Sequence, residues 1–330
     1  MRGAMILSTG RYLPERVVDN RELEKIMDTS DEWITQRTGI KERRYVAKGE
    51  TVSTMGAAAA RKAMDKIGMG PDDVDCLVFA TISPDYCFPG SGVLVQEELG
   101  LPCIGSMDVK TQCTGFVYGL SIAESFVKIG KYDHVLVIGA EVQSTGLDFS
   151  TEGRDISVIF GDGAGAAVVG PCEEGRGILS SHLHSEGKHA KELWCEVPGS
   201  SDNPRLTEDM LKENRHYPSM RGRFVFTHAV RRFQEVIDEA LEANSLRRKD
   251  ISLLIPHQAN LRITQAVGKS MGLGEGQVYS NVQRYGNTTA ASIPIALDES
   301  LEEGIIEDKD IVCLAAFGSG FTWGSVLLRW

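Results

Sequence analysis

The chain is short of the features that would tie it to a disulfide scaffold, a nucleic acid or a membrane. Its seven cysteines in 330 residues, at 76, 87, 103, 113, 172, 195 and 313, are odd in number and scattered, with no C-x-x-C pair. That pattern argues against a disulfide framework and a cysteine zinc site and fits free thiols in a reducing compartment. Basic residues are outnumbered, 35 Lys and Arg against 46 Asp and Glu, for a net charge of −11, which argues against a general affinity for nucleic-acid phosphates. The opening MRGAMILSTGRYLPERVV interrupts its short apolar run with Gly, Arg and Pro. It offers neither a signal-peptide core nor a transmembrane span, so no membrane partner is expected and the chain reads as cytoplasmic.

What is present is the balance of an ordinary globular protein, 42% hydrophobic and 25% charged, long enough to bury a large core as one domain or two fused ones. β-type runs alternate with helical patterns: DCLVFATIS (75–83), a segment around 91–99, SMDVK, a helix after Cys113 and HVLVIGAEV (134–142). The alternation predicts an α/β protein with a buried, mostly parallel sheet. The second half repeats the theme, with a long amphipathic helix near 224–243, then ISLLIPHQAN, a further helix, ASIPIALDESLEEGII and DIVCLAAFGSGFTWGSVLLRW. Each half closes on what reads as a Gly-punctuated strand pair, SVIFGDGAGAAVVG (157–170) and VCLAAFGSGFTWGSVLL (312–328). The expectation is an internal duplication, with halves 1–175 and 176–330 sharing one core. Residues 185–222, polar and broken by Pro and Gly, read as a lid or channel wall.

Charge is uneven along the chain. Arg37, Lys41, Arg43 and Arg44 form one basic island, Arg221, Arg223, Arg231 and Arg232 a second, and Arg247, Arg248 and Lys249 a third. Such islands suit a phosphorylated small molecule or an acidic partner, although solvated helix faces have the same composition.

Two motifs fail on context. GDGAGA (161–166) meets a loose dinucleotide fingerprint, but Gly170-Pro171 stops AAVVG before a helix can form, so it reads as a strand whose glycines allow close packing. His182, His184 and His189 have no accompanying Cys or carboxylate pattern and read as surface or packing residues. Cys113, at the mouth of an apolar helix, is different. Unpaired N–H groups and the helix dipole favour an anion there, so the thiol is expected to ionise below the ~8.5 of a free cysteine. His257 follows a strand-like run in IPHQANLRI and Asn287 sits in the Gly-containing turn of RYGNTTAAS. Either residue alone suits a core or capping role. Together with Cys113 they supply a nucleophile and two neutral donors, a set suited to thioester chemistry.

Over essentially its whole length the sequence resembles the β-ketoacyl-acyl-carrier-protein synthase III family of thiolase-superfamily condensing enzymes. The resemblance rests on TQCTGF, PHQANLRI, YGNTTAASIP, IFGDGAGAAV, FGSGFTWGS and TSDEWITQRTGIKERR. It implies an αβαβα sandwich of two duplicated halves, a homodimer, and a decarboxylative condensation of an acyl-CoA with malonyl-acyl carrier protein that needs no metal or redox cofactor. Cys113 would carry the acyl group, while His257 and Asn287 would hold the enolate oxygen. The backbone N–H groups of Cys113 and of the 318–320 loop, at Ser319, would form the oxyanion hole. Trp33 and Arg37 would hold the adenine end of CoA, and Thr29, Arg154, Gly222, Phe226 and Asn260 would line the route inward. Phe88 would shape the primer pocket across the dimer interface, and Arg262 and Lys269 would receive the acidic carrier protein.

The sequence departs from the housekeeping pattern in a longer stretch before MRGR (220–223), in Arg221 and Arg223, and in GSG where GGG is common. These departures resemble the secondary-metabolism branch, whose primers are branched, longer or aromatic. A thioesterase would need a water-activating residue that the sequence does not suggest. A non-catalytic partner subunit would commonly lack the cysteine.

Overall fold

A computed structural model describes residues 2–330. Its principal strands are Arg2–Tyr12 (β1), Cys76–Ala80 (β2), Gly105–Val109 (β3), Val135–Glu141 (β4), Gly163–Glu173 (β5), Gly177–Ser185 (β6), Leu253–Pro256 (β7), Ile311–Gly318 (β8) and Thr322–Arg329 (β9). The helices that pack on them are Asp31–Thr38 (α1), Val52–Lys66 (α2), Ser91–Leu99 (α3), Gly115–Lys128 (α4), Gly222–Ala243 (α5), Leu261–Met271 (α6) and Ser292–Glu302 (α7). The strands form a five-stranded sheet in the order β1-β5-β4-β2-β3 and a four-stranded sheet in the order β7-β8-β9-β6.

Five layers follow from which helix faces are apolar. In α5 the buried residues Val225, Ala229, Phe233, Val236, Ile237, Ala240 and Leu241 lie on one stripe, the pattern of a helix covering one face of a sheet. With α6 it covers the outer face of the four-stranded sheet, while α2 and α3 cover the outer face of the five-stranded one. By contrast, α7 buries every residue from Ser292 to Ser300, and α4 buries Phe116, Val117, Leu120, Ala123 and Val127. Helices this apolar belong between two sheets, and both lie there, in a core shared by β2, β4, β7, β8 and β9.

Both sheets are mixed rather than mostly parallel. The β2 strand runs parallel to β3 and β4, and β7 runs parallel to β8, but β5 is antiparallel to β1 and β4, and β9 is antiparallel to β8 and β6. The turn between Gly318 and Thr322 is too short for a parallel crossover, so β8 and β9 can pair only as a hairpin. The expected strand pair at 157–170 is a single strand, β5, entered through the short helix Arg154–Ser157.

One ionic knot holds α7 to the five-stranded sheet. Asp298 of α7 accepts from Thr9 Oγ1 at 2.7 Å and Arg11 Nη1 at 2.5 Å in β1, and from Lys66 Nζ at 2.6 Å at the end of α2. Burial acts to raise its pKa, but Lys66, Thr9 and Arg11 outweigh burial and hold the carboxyl below the usual carboxylate range. Asp298→Ala is expected to lower the unfolding free energy by roughly 2–3 kcal/mol, less than the 3–5 of a fully enclosed pair because Lys66 is half-exposed. Because the folded pKa lies below the unfolded one, this stabilisation is complete above about pH 4 and fades as pH falls through the folded value. Urea unfolding of both proteins should therefore show a gap at pH 7 that narrows below pH 4; a constant gap would refute the assignment.

Candidate active site

Cys113 lies in the tight turn Gln112–Thr114, immediately before α4 begins at Gly115. Close approach decides its surroundings. A Cβ on Gly318, at the end of β8, would stand 2.8 Å from Cys113 Cβ and 3.2 Å from its sulfur, so only glycine lets the hairpin turn rest against the thiol. The backbone N–H groups of Cys113 and Ser319 point at that sulfur and favour its anion. They do not prevail. Burial, reinforced by the negative charge of Glu141, pushes the thiol up to about 12, opposite to the direction expected from the helix dipole. The dipole argument fails because the cysteine precedes the helix proper and is enclosed, and desolvation outweighs partial charges.

His257 follows β7, and its backbone N–H donates to Ala315 O in β8 at 2.8 Å. Its Nδ1 lies 2.7 Å from Ser292 Oγ at the start of α7. That hydroxyl oxygen also accepts from Gln258 N at 3.3 Å; when its own proton is given to Nδ1, the imidazole proton sits on Nε2. Nε2 is buried with no protein partner. Burial pushes the imidazole down to about 3, leaving a neutral donor.

Asn287 is held at its backbone, its N–H donating to Ile159 O at 2.9 Å and its carbonyl accepting from Gly161 N at 3.1 Å. The glycines of GDGAGA therefore serve close packing: a Cβ on Gly161 would meet Tyr285 O at 2.3 Å. Asn287 Oδ1 accepts from Thr289 N at 2.8 Å, which orients the amide and leaves its N–H groups for the cavity.

All three side chains line one cavity of about 1040 Å³. Its wall also includes Trp33, Arg37, Gly222, Phe226, Asn260 and Arg262. The guanidinium groups of Arg37 and Arg154 lie over the Trp33 ring, 4.4 and 5.2 Å from its centroid. Asn260 caps α6 by accepting from Arg262 N at 2.8 Å and donates to Arg37 O at 3.0 Å, tying α6 to α1. Thr29, Arg154 and Ser319 stand beside the wall rather than in it, and Ser319 Oγ donates to Leu193 O. Phe88 is 83% exposed and far from being enclosed. Lys269 is exposed on α6, two turns beyond Arg262.

The segment 185–222, expected as a lid or channel wall, contributes Leu193, Asn214, Tyr217, Pro218, Ser219 and Met220 to the wall; its irregular sequence could not reveal which of its residues do so. The basic islands prove mostly neutralised. Arg43 is buried and bonds Asn20 Oδ1 at 2.8 Å and Val158 O at 2.8 Å, while Arg221, Arg232 and Arg248 pair with Glu192, Glu186 and Asp238. Among the described residues, Arg37, Arg223 and Arg262 have no carboxylate partner, and all three line the cavity.

The histidines of 182–189 do structural work. His182 and His184 both engage Glu239, at 3.2 and 2.6 Å. Glu186, His189 and His228 bring ligand-type atoms within 4.8 Å of one another. Both oxygens of Glu186 are already paired, with Lys188 and Arg232, so a metal ion there would meet two cations.

His257 is expected to stay neutral well into acid. Its ring nitrogens, followed by NMR, should show the Nε2–H form with no titration from pH 9 to pH 5; a midpoint near the ordinary ~6.5 would show that the imidazole is not enclosed as described.

Comparison with known proteins agrees with this geometry. The family model of 3-oxoacyl-[acyl-carrier-protein (ACP)] synthase III matches residues 107–187, and that of its C-terminal part matches residues 241–330. The β-ketoacyl-[acyl-carrier-protein] synthase III of Clostridioides difficile (strain 630) is 46% identical over 99% of this chain and 98% of its own length. The crystal structure of 3-oxoacyl-[acyl-carrier-protein] synthase III from Aquifex aeolicus VF5 superimposes with a TM-score of 0.91 at 42% identity, over 99% of this chain and 100% of that one. The priming β-ketosynthase from the R1128 polyketide biosynthetic pathway superimposes with a TM-score of 0.89 at 33% identity, over 99% of this chain and 97% of that one. A thiol, a neutral imidazole and a carboxamide facing one cavity, on a scaffold matched over nearly the full chain, place this protein in the β-ketoacyl-acyl-carrier-protein synthase III family of acyl-transferring condensing enzymes, with their thiolase-like fold.

Proposed function

We propose that the chain condenses an acyl-CoA primer with malonyl-acyl carrier protein through an acyl-Cys113 intermediate, giving a 3-ketoacyl-acyl carrier protein and so starting fatty acid synthesis. One observation carries the reading: the cavity that encloses the Cys113 thiol also receives a free imidazole Nε2–H and a free carboxamide, with two backbone N–H groups aimed at the sulfur. Cys113 would attack the thioester carbonyl, its proton leaving with the CoA sulfur. The N–H groups of Cys113 and Ser319 would hold the oxyanion. Malonyl-acyl carrier protein would then lose CO₂, and the enolate oxygen would be held by His257 Nε2 and Asn287 Nδ2. A neutral donor pair suits a single developing charge, each donor contributing roughly 2.7–4 kcal/mol. Attack of the carbanion on acyl-Cys113 would release the product and a Cys113 thiolate, which takes up one proton from solvent to restore the resting thiol. Every step is acyl transfer or decarboxylation, so no metal or redox group enters.

The Trp33 indole and the guanidinium planes of Arg37 and Arg154 beside it offer stacking surfaces for an adenine ring, and Arg37, Arg223 and Arg262, free of carboxylates, suit the phosphates of CoA and of the carrier arm. Thr29, Arg154, Gly222, Phe226 and Asn260 would frame the channel. Arg262 and Lys269, seven residues apart and exposed on one side of α6, would face the acidic carrier protein. Strand β3 is an uncovered edge of the five-stranded sheet, and Tyr86, Phe88 and Val93 nearby are exposed at 61%, 83% and 41%. An open edge beside bare apolar side chains supports a homodimer, with Phe88 reaching the partner's primer pocket. No described helix is long and apolar enough to cross a membrane, and a cytoplasmic location belongs to the same proposal. The second reading is a branched, longer or aromatic primer, favoured by the apolar wall that Leu193, Tyr217 and Met220 add to the cavity.

Incubation with a panel of acyl-CoAs should add one acyl mass to the intact chain, and malonyl-acyl carrier protein should remove it as 3-ketoacyl product. Cys113→Ala should abolish both. His257→Ala and Asn287→Ala should keep the adduct while lowering condensation by roughly 10²–10³-fold. Release of free acid without the malonyl donor, or full condensation by Cys113→Ala, would overturn the reading.

A further inference from the structure

Glu141 ends β4 inside the molecule, wholly buried, and no residue role proposed so far uses it. An acid at the end of an apolar strand demands partners, and donors converge on it from three directions. From the loop after β2 come Ser83 Oγ at 2.7 Å, Thr81 Oγ1 at 3.2 Å and Ile82 N at 3.2 Å. From its own strand end comes Gln143 Nε2 at 3.4 Å. From the turn that follows Asn287 comes the backbone N–H of Ala290. Gln143 Nε2 also donates to Thr289 Oγ1 at 3.0 Å, in the residue whose N–H orients the Asn287 carboxamide. No Lys or Arg meets this carboxyl, so its charge is held by neutral dipoles alone.

The Gln112–Thr114 turn that carries Cys113 packs on the Thr289–Ala291 turn to which this carboxyl is bonded. Of the charged groups around Cys113, Glu141 is the one whose field acts on it; the neighbouring His257 is neutral, and the remaining groups on the sulfur are backbone N–H donors. Burial pushes Glu141 itself up to about 7, against the bonds from Ser83, Ile82, Ala290 and Thr81 that favour its charged form. It can therefore change charge near neutral pH.

We propose that Glu141 is a positioning residue with two opposed effects: it clamps the Thr289–Ala291 turn so that Asn287 is aimed into the cavity, and its negative charge restrains Cys113 from ionising. The clamp serves the decarboxylating half of the reaction. The charge adds to burial in restraining the empty enzyme's thiol, lowering its reactivity toward stray electrophiles until a thioester enters. This inference rests on the function proposed above for its decarboxylation arm only.

The opposition supplies the test. Iodoacetamide alkylation of the intact chain, followed against pH by the mass of the digested peptide that holds Cys113, reads that thiol apart from the exposed Cys87, Cys103 and Cys195; CO₂ release from malonyl-acyl carrier protein on pre-acylated enzyme reads the clamp. Glu141→Gln should speed alkylation about tenfold at pH 8, the profile moving down by about one pH unit, while slowing CO₂ release at least tenfold with little change in KM. The alkylation difference should shrink below about pH 6, where Glu141 is itself protonated. Glu141→Asp keeps the charge but shortens the reach, so it should leave alkylation near wild type and slow CO₂ release. Gln143→Ala, which leaves Glu141 in place, should do the same. Loss of fold would expose the thiol and speed its alkylation while stopping CO₂ release, so the circular dichroism of each variant is read alongside; an unchanged alkylation profile in folded Glu141→Gln, or unimpaired CO₂ release in Glu141→Asp and Gln143→Ala, overturns the proposal. If the wild-type chain forms no 3-ketoacyl product, the function proposed above fails, and the alkylation arm still decides the role of the charge.

Discussion

The site depends on how closely two sheets and the helices between them approach at one point. Gly318 lets the β8–β9 turn touch Cys113, and a Cβ there would collide with the cysteine's own Cβ. On the other side, Gly139 of β4 lies so close to the turn after Asn287 that a Cβ would stand 2.3 Å from Ala290 O. Protein interiors respond to such overlaps by shifting whole elements, so these two missing side chains fix where the nucleophile and the carboxamide loop can be. His257 enters the same space because β7 is paired in register with β8, with Pro256 beside Ala315.

That enclosure also sets the electrostatics. Burial raises the thiol and lowers the imidazole, and both groups are neutral at rest. A site of neutral groups is primed to respond to charge that develops during reaction, because each aimed N–H acts at low dielectric and needs no reorganisation. The exception is Glu141, an acid whose bonds to Ser83, Thr81 and Ala290 join the two loops flanking the cavity. Away from the chemistry, the wall grows polar and cationic, with Arg37, Arg223 and Arg262 left unpaired where a phosphate-bearing ligand would enter.

Much of this was legible beforehand for physical reasons. The apolar stripe of α5 and the Gly-punctuated hairpin at the C-terminus follow from periodicity and turn chemistry, which are local. Cys113, His257 and Asn287 stood out because each breaks an apolar or small-residue run at the end of an element. Misreadings came where long-range pairing decides. The direction of β5 depends on β1, some 160 residues away. The thiol's acidity depends on burial that no neighbour in sequence imposes. Glu141 was visible as the lone acid of HVLVIGAEV, but its meaning lies in donors contributed by residues 81–83 and 290.

The sequence by itself determined the class of elements, their order, the chemistry available at Cys113, His257 and Asn287, and the membership that their flanking motifs announce, because local periodicity and residue type carry that information. Only the tertiary structure decided that the sheets are mixed, that the thiol rests protonated, which basic side chains stay unpaired and which residues of 185–222 wall the cavity. Those properties arise from desolvation and from contacts between distant segments, and neither exists until the chain has closed around its core.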